Sequence, residues 1–266
     1  MLLKIHHETR YNYDNPVQYG LQQLRLRPKE RAGQRILDWN IEIDGGSLEL
    51  SFEDHHCNHV DLINIERGRS EIVIRCNGEV ENTDGSGVIG KHAGFAPLWY
   101  FKRATALTKP GTETAKLIKS LSRDYDNDIA RLHALSALVT EKVPYEIGKT
   151  DAETTVEQAL KLGGGVCQDH AHIFCTAARA LGFPARYVSG YLMMSDRVDQ
   201  DATHAWAEIY IEHIGWVGFD VSNGYSPDER YVRVATGLDY KDASPISGLR
   251  YGPGGEDMIV TLQVQQ

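Results

Sequence analysis

The spacing of apolar residues changes near residue 105, and this change constrains the fold more than any other feature of the sequence. Before that point, apolar and polar residues alternate in short runs such as Ile36 to Ile43 and Leu48 to Phe52. Alternation with a period of two is typical of strands with one buried face. Turn-forming residues separate the runs, at Asp44-Gly45-Gly46, Asn77-Gly78 and Asp84-Gly85. We therefore predict that residues 1–105 form an antiparallel β-sandwich domain.

The chain after residue 105 shows helical spacing first and strand-like runs later. Apolar residues recur at three- and four-residue steps from Ile129 to Val143, which predicts a helix that ends before Pro144. Two more helices are predicted, from Thr154 or Thr155 to Leu162 and from about Cys167 to Leu181. Strand-like runs follow, and the last covers Asp257 to Val264. The fold class is therefore predicted to be α+β, with residues 106–266 as a second domain that includes a C-terminal strand.

The composition restricts the kinds of partner that this chain can have. Its 28 basic and 37 acidic residues give a formal charge of -9, which does not suit a surface that neutralises rows of phosphates. The first residues turn polar too early for a secretory signal, which needs an apolar region of about 7–15 residues. No run approaches the roughly 20 apolar residues that span a bilayer. We expect a soluble, cytoplasmic protein with neither a nucleic-acid nor a membrane partner.

One of the four cysteines stands where a reactive thiol is expected. Cys167 follows a glycine-rich run, Gly163-Gly164-Gly165-Val166, and begins a predicted helix. The unpaired N–H groups and the positive dipole end of a helix favour the thiolate, which is the nucleophilic form of cysteine. The spacing of the remaining cysteines matches no Cys-x-x-Cys site, and small buried thiols are expected at Cys57, Cys76 and Cys175. We therefore predict that Cys167 is a nucleophile.

His204 and Asp220 are candidate partners of that thiol. An imidazole, with an ordinary pKa of about 6.5, takes and returns a proton at neutral pH. His204 begins one strand-like run and Asp220 ends the next, so a turn near His213 to Gly215 would pair the runs as a hairpin. Its open end would bring the carboxylate to the imidazole and hold the ring in one tautomer. Cys167, His204 and Asp220 are therefore predicted as a catalytic triad.

Several stretches around these residues also carry a family resemblance. They are Gly165 to His172, Arg179 to Tyr191, His204 to Trp206 and Gly215 to Asp220. In their order and spacing they resemble the bacterial transglutaminase-like superfamily, which shares its catalytic logic with papain-like cysteine proteases. The resemblance implies Cys167 as nucleophile, His204 as base and Asp220 as third member. It also implies a papain-like or transglutaminase-like core, in which helices pack on an antiparallel sheet.

The resemblance extends into the first domain. His7 to Tyr13, Pro16-Val17 and Leu24 to Pro28 look like the β domain that precedes the core in many bacterial members. A departure lies at Asp54 to His59, where that domain usually has a glycine before the asparagine. The departure puts only a local turn in doubt.

Four further residues are predicted to support the site or to line it. They are Gly165, Asp169, Tyr191 and Trp206. Asp169 lies near the start of the helix, where negative charge is favoured, so a structural role is expected for it. Trp206 is expected either to wall the cleft or to pack in the core.

Histidines elsewhere invite other interpretations. His55, His56 and Cys57 have side chains that zinc binds, but alternation along a strand would send them to opposite faces, so no metal site is predicted. His170 and His172 are predicted on the helix surface, with the alternative that one of them lines the cleft.

The predicted chemistry is acyl transfer at an amide of a peptide or protein, through a thioester and without a cofactor. Attack by water would make the enzyme a peptidase or amidase, and attack by an amine would make it a transglutaminase. The triad is common to both outcomes. The alternative from another class is a non-catalytic peptide-binding or scaffold protein on the same fold. The sequence leaves the substrate, the oligomeric state and any calcium dependence open.

Overall fold

The computed structural model describes residues 1–122 and 124–266, and its strands form three antiparallel sheets. The strands are β1 (Leu2–Tyr13), β2 (Tyr19–Leu24), β3 (Gln34–Asp44), β4 (Gly46–Glu53), β5 (His59–Ile65), β6 (Glu71–Asn82), β7 (Val88–Gly90), β8 (Ala185–Leu192), β9 (Asp199–Gln200), β10 (His204–Ile211), β11 (Gly215–Phe219), β12 (Tyr231–Gly237), β13 (Ile246–Tyr251) and β14 (Glu256–Gln265). The helices are α1 (Thr112–Ser120), α2 (Asp128–Lys142), α3 (Val156–Leu162), α4 (Cys167–Ala180) and α5 (Tyr240–Ala243), with a 3-10 helix at Leu98–Lys102. Among the described residues, none of the helices has the length and apolar character that a membrane crossing requires.

Two of the sheets form the predicted sandwich. One has the strand order β3-β6-β1-β14-β9 and the other β13-β2-β5-β4. The side chains of β1 alternate between buried and more exposed positions along the strand, as a sheet with one covered face requires. Apolar residues from both sheets meet in one core, among them Tyr11, Leu24, Ile63 and Ile72. The α+β class and the N-terminal sandwich are therefore confirmed.

The strand pairing departs from the predicted domain division at the C-terminal end. Strand β14 pairs with β1 over ten residue pairs, and β13 pairs with β2. In the other direction, β7 adds to the edge of the second domain's sheet by pairing with β11. The assignment of residues 106–266 to one domain is thus incorrect for β13 and β14, because the open edges of β1 and β2 take them as partners. Alternation shows that a segment is a strand and does not show which edge it joins.

The Asn77-Gly78 pair lies inside β6 and does not form the predicted turn. The ring of Trp39 on the neighbouring strand covers Gly78, and a Cβ atom there would lie 2.3 Å from Trp39 Cε3. Glycine is present here because the tryptophan ring approaches the backbone closely. Asp44-Gly45-Gly46, by contrast, connects β3 and β4 with Gly45 at a φ of 88°.

The second domain packs helices on the sheet β12-β8-β10-β11-β7. Helix α4 lies against β8 and β10, and its side chains join the core with those of α2, the adjacent helices and the sheet. The predicted helices are all present. Helix α2 ends before Pro144, and Thr155 caps α3 through a reciprocal pair of hydrogen bonds with Gln158. The predicted core of helices on an antiparallel sheet is confirmed.

The outer edge of β12 joins the two domains through side-chain amides. In the part of the chain that the structure describes, no strand pairs with this edge, since β12 is the last strand of its sheet. Buried amides of the sandwich domain instead bond to its backbone at distances of 2.8–2.9 Å. The partners are Gln34 for Arg233, Asn58 for Thr236 and Asn82 for Tyr231. The sandwich therefore supplies the hydrogen bonds that a further strand would otherwise provide.

Replacing Asn58 by alanine tests this account of the interface. Asn58 is 1% exposed, and its amide bonds both the N–H and the C=O of Thr236. The variant leaves two buried backbone groups unpaired, so the free energy of unfolding should fall by about 2 kcal/mol or more. Urea denaturation followed by circular dichroism measures this change. Asn40→Ala is the matched control, because Asn40 is exposed and bonds only to Glu42. An equal loss in both variants would show that the amide contacts with β12 contribute little.

Candidate functional site

The glycine-rich run holds Cys167 at the first position of α4. Gly163, in the left-handed conformation with a φ of 63°, ends α3. Gly165 then exchanges backbone hydrogen bonds with the segment around Tyr145: its N–H donates to Pro144 and its carbonyl accepts from Glu146. Cys167 follows as the first helical residue and is partly exposed. The thiol therefore stands at the positive end of a long helix and is open to solvent.

Asp169 ties this loop to the helix. Its Oδ2 accepts hydrogen bonds from the backbone N–H of Val166 at 2.8 Å and from the hydroxyl of Thr150 at 2.7 Å. Burial raises the pKa of the Asp169 carboxyl, and the hydrogen bonds from Thr150 and Val166 act against this rise. A Cβ on Gly165 would lie 2.6 Å from Asp169 Oδ2, so only glycine leaves room for the carboxylate. Gly165 and Asp169 thus fix the start of the helix.

The hairpin of β10 and β11 brings His204 to Asp220. The two strands pair from Ala207 opposite Phe219 to Ile211 opposite Gly215, as the spacing predicted. At the open end, His204 Nε2 lies 2.6 Å from Asp220 Oδ2. The Cys167 sulfur lies close enough to the same ring to raise the pKa of His204. Since Nε2 is held by Asp220, Nδ1 is the ring nitrogen left for the thiol.

The charges around His204 favour the imidazolium. Burial by itself would lower the pKa of His204, but the Asp220 carboxylate and the Cys167 sulfur raise this pKa to about 10. His204 is 7% exposed and Asp220 is fully buried, so water screens their attraction weakly. At neutral pH, the ring therefore carries a proton while it faces the sulfur. A cation beside a cysteine is typical of reactive thiols.

Asp220 is held by two residues besides His204, namely Tyr231 and Asn223. Tyr231 donates its hydroxyl to Asp220 Oδ2 at 2.6 Å, and the Asn223 amide donates to the same oxygen at 2.7 Å. Burial would raise the pKa of Asp220, but His204, Tyr231 and Asn223 lower it below the usual value. Neither Tyr231 nor Asn223 was found from the sequence. Asn223, three residues after Asp220, could have been found as a local side-chain to side-chain contact, whereas Tyr231 depends on the pairing of β12.

The remaining predicted residues divide between the site and the core. Trp206 is 2% exposed, and its ring stacks on that of His204 with the centroids 6.2 Å apart. It therefore packs against the histidine of the site. Tyr191 lies elsewhere: its hydroxyl meets His7 Nδ1 at 2.9 Å, and it packs in the core between the two domains. Tyr191 is therefore not part of this site, because its strand position turns it toward the sandwich.

An additional aromatic residue, Tyr145, lies near Cys167 and Asp220. It is 54% exposed and forms a bridge with Gly165, and its ring meets the edge of His170. Burial raises the pKa of the Tyr145 hydroxyl, and the nearby Cys167 and Asp220 raise it further. No pattern in the sequence singles out Tyr145, because it is brought near Cys167 only by the backbone contact of two separate loops.

The two histidines of α4 are buried, contrary to the prediction that they lie on the helix surface. His170 bridges the hydroxyl of Ser222 and the backbone carbonyl of Val143, at 2.8 and 2.7 Å. His172 Nε2 accepts a hydrogen bond from the backbone N–H of Tyr240. Burial lowers the pKa of His172 to about 3, so this ring is neutral. Most side chains of α4 are buried, so its two histidines form hydrogen bonds with neighbouring segments of the chain.

Residues 54–58 form a turn between β4 and β5, whereas the sequence predicted a strand for this segment. The Asp54 carboxylate accepts from the backbone N–H groups of His56 and Asn58. Cys57 has a φ of 59°, in the left-handed region that favours glycine. Within residues 1–122 and 124–266, no group of three or more potential ligands is placed to hold a metal ion.

Comparisons with known proteins agree with this architecture. Residues 115–221 match the family model of the transglutaminase-like superfamily, and residues 3–81 match that of the bacterial transglutaminase-like N-terminal region. The crystal structure of "a Putative Cysteine Protease" from Cytophaga hutchinsonii superposes with a TM-score of 0.78 at 21% identity, covering 100% of this chain and 91% of that one. At this identity, the match shows a shared fold.

Relatives in sequence cover nearly the whole chain. An uncharacterized protein of Mycobacterium leprae is 25% identical over 275 residues, which is 98% of both proteins. An uncharacterized protein of Mycobacterium tuberculosis is 26% identical over 289 residues, covering 98% of this chain and 91% of its own. The two family models, which match both domains in the expected order, show that this chain belongs to the bacterial transglutaminase-like superfamily.

Proposed function

We propose that this protein is a cysteine-dependent enzyme that transfers the acyl group of a peptide or protein amide through a thioester on Cys167. The observation that carries the proposal is the 2.6 Å contact of His204 Nε2 with Asp220, and Cys167 lies close enough to the same ring to raise the pKa of His204. A nucleophile, a base within reach of it and a group that orients the base are the parts that such chemistry needs. The membership of the transglutaminase-like superfamily supports the same reading.

In the first half of the proposed reaction, the Cys167 sulfur attacks the amide carbon and forms a tetrahedral intermediate. Backbone N–H groups at the start of α4, including that of Cys167, would stabilise the negative oxygen. The protonated His204 then gives its proton to the amide nitrogen, the C–N bond breaks and the amine leaves. The acyl group remains on sulfur as a thioester, and His204 is neutral.

In the second half, neutral His204 takes a proton from the acceptor as the acceptor attacks the thioester. The C–S bond breaks, and the thiolate and imidazolium form again. If the acceptor is water, the product is a carboxylic acid, and if it is a primary amine, the product is a new amide. Hydrolysis is the outcome that we favour, because the site is open to solvent at Cys167 and Tyr145 is about half exposed beside it.

The thiols of this protein should differ sharply in their rate of alkylation. Cys167 is partly exposed beside a cation, whereas burial raises the pKa of Cys76 to about 12 and that of Cys175 to about 11. At a pH of about 6.5, iodoacetamide should therefore modify Cys167 first. Peptide mapping by mass spectrometry identifies the modified residue.

Two alanine variants control this experiment. Cys167→Ala should remove the fast labelling, whereas Cys57→Ala should retain it, because burial and the neighbouring Glu53 raise the pKa of the Cys57 thiol. Faster labelling of Cys57, Cys76 or Cys175 than of Cys167 in the parent protein would reject the assignment of the nucleophile.

The Asp220→Asn variant should lower the pKa of His204 strongly. Asparagine keeps the shape of the side chain but removes the charge that offsets burial, so this pKa should fall from about 10 by at least one unit. Titration of the ring nitrogens by ¹⁵N NMR measures it, with the signal of the exposed His213 as an internal reference. An unchanged value would mean that Asp220 does not hold the proton on His204.

His204 and Asp220 should also make the stability of the folded protein depend on pH. Because the folded pKa of His204 lies above its ordinary value of 6.5, the folded protein retains a proton that the unfolded chain releases between these values. The contribution of His204 should be complete below about pH 6.5 and lost as the pH rises to about 10. The contribution of Asp220, whose pKa is lowered, should be lost only as the pH falls below its ordinary range. Thermal unfolding of the parent and of Asp220→Asn at several pH values checks this, since the variant should show a weaker alkaline loss.

Analysis of the reaction products identifies the acyl acceptor. The protein is incubated with a library of glutamine-containing peptides, with and without a primary amine, and the peptides are weighed by mass spectrometry. Backbone cleavage or a gain of about 1 Da indicates water as acceptor, and a gain of the amine mass indicates transamidation. Cys167→Ala should yield none of these changes. If the parent protein also changes no peptide, a non-catalytic peptide-binding role replaces the enzymatic proposal.

A further inference from the structure

A cavity of about 670 Å³ lies between the sandwich and the sheet of the second domain, and no step proposed for Cys167 uses it. Its walls come from the segment after β2, the turn that follows β4, the loop after β7 and the strands β8, β11 and β12. The volume falls within the range of about 300–1,000 Å³ that is usual for small-molecule sites. The cavity is therefore large enough for an organic ligand.

The charges of this cavity are mostly positive. Its cationic lining residues are Lys29, Arg31, Lys91, Arg186 and Arg233. The acidic residues Glu30 and Glu53 stand at its exposed rim. One fully buried carboxylate, Glu208, lies behind the wall and pairs with Arg186 and Arg233.

Glu208 neutralises only part of the buried charge. Arg186 Nε donates to Glu208 Oε2 at 2.5 Å, and Arg233 Nε donates to Oε1 at 2.7 Å. Two guanidinium groups thus share one carboxylate. Both arginines are less than a tenth exposed, so solvent compensates little of the remaining charge. Arg186 also stacks on the face of Trp216, 3.9 Å from the ring centroid, which fixes its plane at the cavity wall.

Lys29 and Arg31 have no carboxylate partner among the described residues. The Lys29 ammonium donates to the backbone carbonyl of His56 and to the hydroxyl of Thr236, which are both neutral. The buried Nε of Arg31 has no hydrogen-bond partner within the described part of the chain. Burial lowers the pKa of Lys29 well below its usual value, and the charges of Arg233 and Arg186 lower it further, whereas Asp54 and Glu208 act against this. The two arginines therefore disfavour the charged form of Lys29.

A buried excess of positive charge is costly unless it coordinates a counter-charge. We propose that this cavity is a binding site for a small organic or inorganic polyanion, carrying at least two carboxylate or phosphate groups. Arg31 would bind it from the sandwich side, Lys91 from the loop after β7, and Arg186 and Arg233 would present their remaining N–H groups from the sheet. Guanidinium groups suit both kinds of anion because their planar forks donate paired hydrogen bonds.

This site is separate from the proposed catalytic residues. Glu208 lies four residues along β10 from His204, which is about 13 Å at the rise of an extended strand. Trp206 stands between them on the same strand, against the His204 ring. The proposal rests on the cavity and its charges alone, and it holds whether or not Cys167 performs the proposed chemistry.

Isothermal titration calorimetry of the full chain with pyrophosphate and with citrate tests the proposal. Each titration is repeated against sodium chloride at equal ionic strength, so that general screening is subtracted. We expect saturable one-to-one binding of at least one anion. Pyrophosphate binding alone indicates a phosphate ligand, and citrate binding alone indicates a carboxylate ligand.

Two variants locate the binding. Arg31→Gln and Lys91→Gln should each weaken it about tenfold or more, because each removes a charged donor to the anion. Arg67→Gln is the matched control: Arg67 is an exposed arginine of the sandwich outside the cavity, and its loss should leave the affinity unchanged. If Arg31→Gln does not fold, as judged by circular dichroism, the exposed Lys91 carries the test. Absence of saturable binding for both anions, or equal weakening by Arg67→Gln, would overturn the proposal.

Discussion

The hydrogen bonds that close the outer edge of β12 connect the fold to the site. Three buried amides of the sandwich satisfy this edge, and β12 in turn carries Tyr231 and Arg233. Tyr231 holds Asp220, and Arg233 holds Glu208. A shift of this strand would therefore disturb the orientation of His204 and the charge cluster of the cavity together. The sandwich is part of the apparatus that positions the site, although none of its residues touches the Cys167 thiol in the contacts described above.

Two buried ionic groupings lie on β10, and they differ in balance. His204 and Asp220 form a matched pair, in which the two opposite charges compensate each other. Neutral hydrogen-bond donors also stabilise the carboxylate. Glu208 is instead shared by two arginines, so this grouping carries a surplus of positive charge. A matched pair suits the proposed reaction, in which His204 loses its proton and later regains it. A surplus serves binding, because only an added anion completes it.

Much of the candidate site could be predicted because its geometry is local. The helix start at Cys167 follows from glycine and capping patterns, and the contact of His204 with Asp220 follows from a hairpin of known spacing. Tyr231 and Tyr145 depend on pairings between distant segments, which alternation and residue type do not encode. The same reason explains the misplaced β13 and β14, since each strand was recognisable but its partner was not. Tyr191 was misassigned because a family motif gives a position in the chain and not the direction of a side chain.

The pairing across domains also means that the chain acts as one unit. Strands β13 and β14, which end the chain, complete the two sheets of the sandwich, and β7 from the first half completes the sheet of the second domain. Separation at residue 105 would expose the edges of β1, β2, β11 and β12 at once, each with unpaired backbone groups. Unpaired backbone groups lower the stability of the fold, and open strand edges tend to pair with other chains. The rigid frame that holds a buried imidazolium against a thiol is therefore built by both domains, and catalysis at Cys167 would depend on residues more than a hundred positions away.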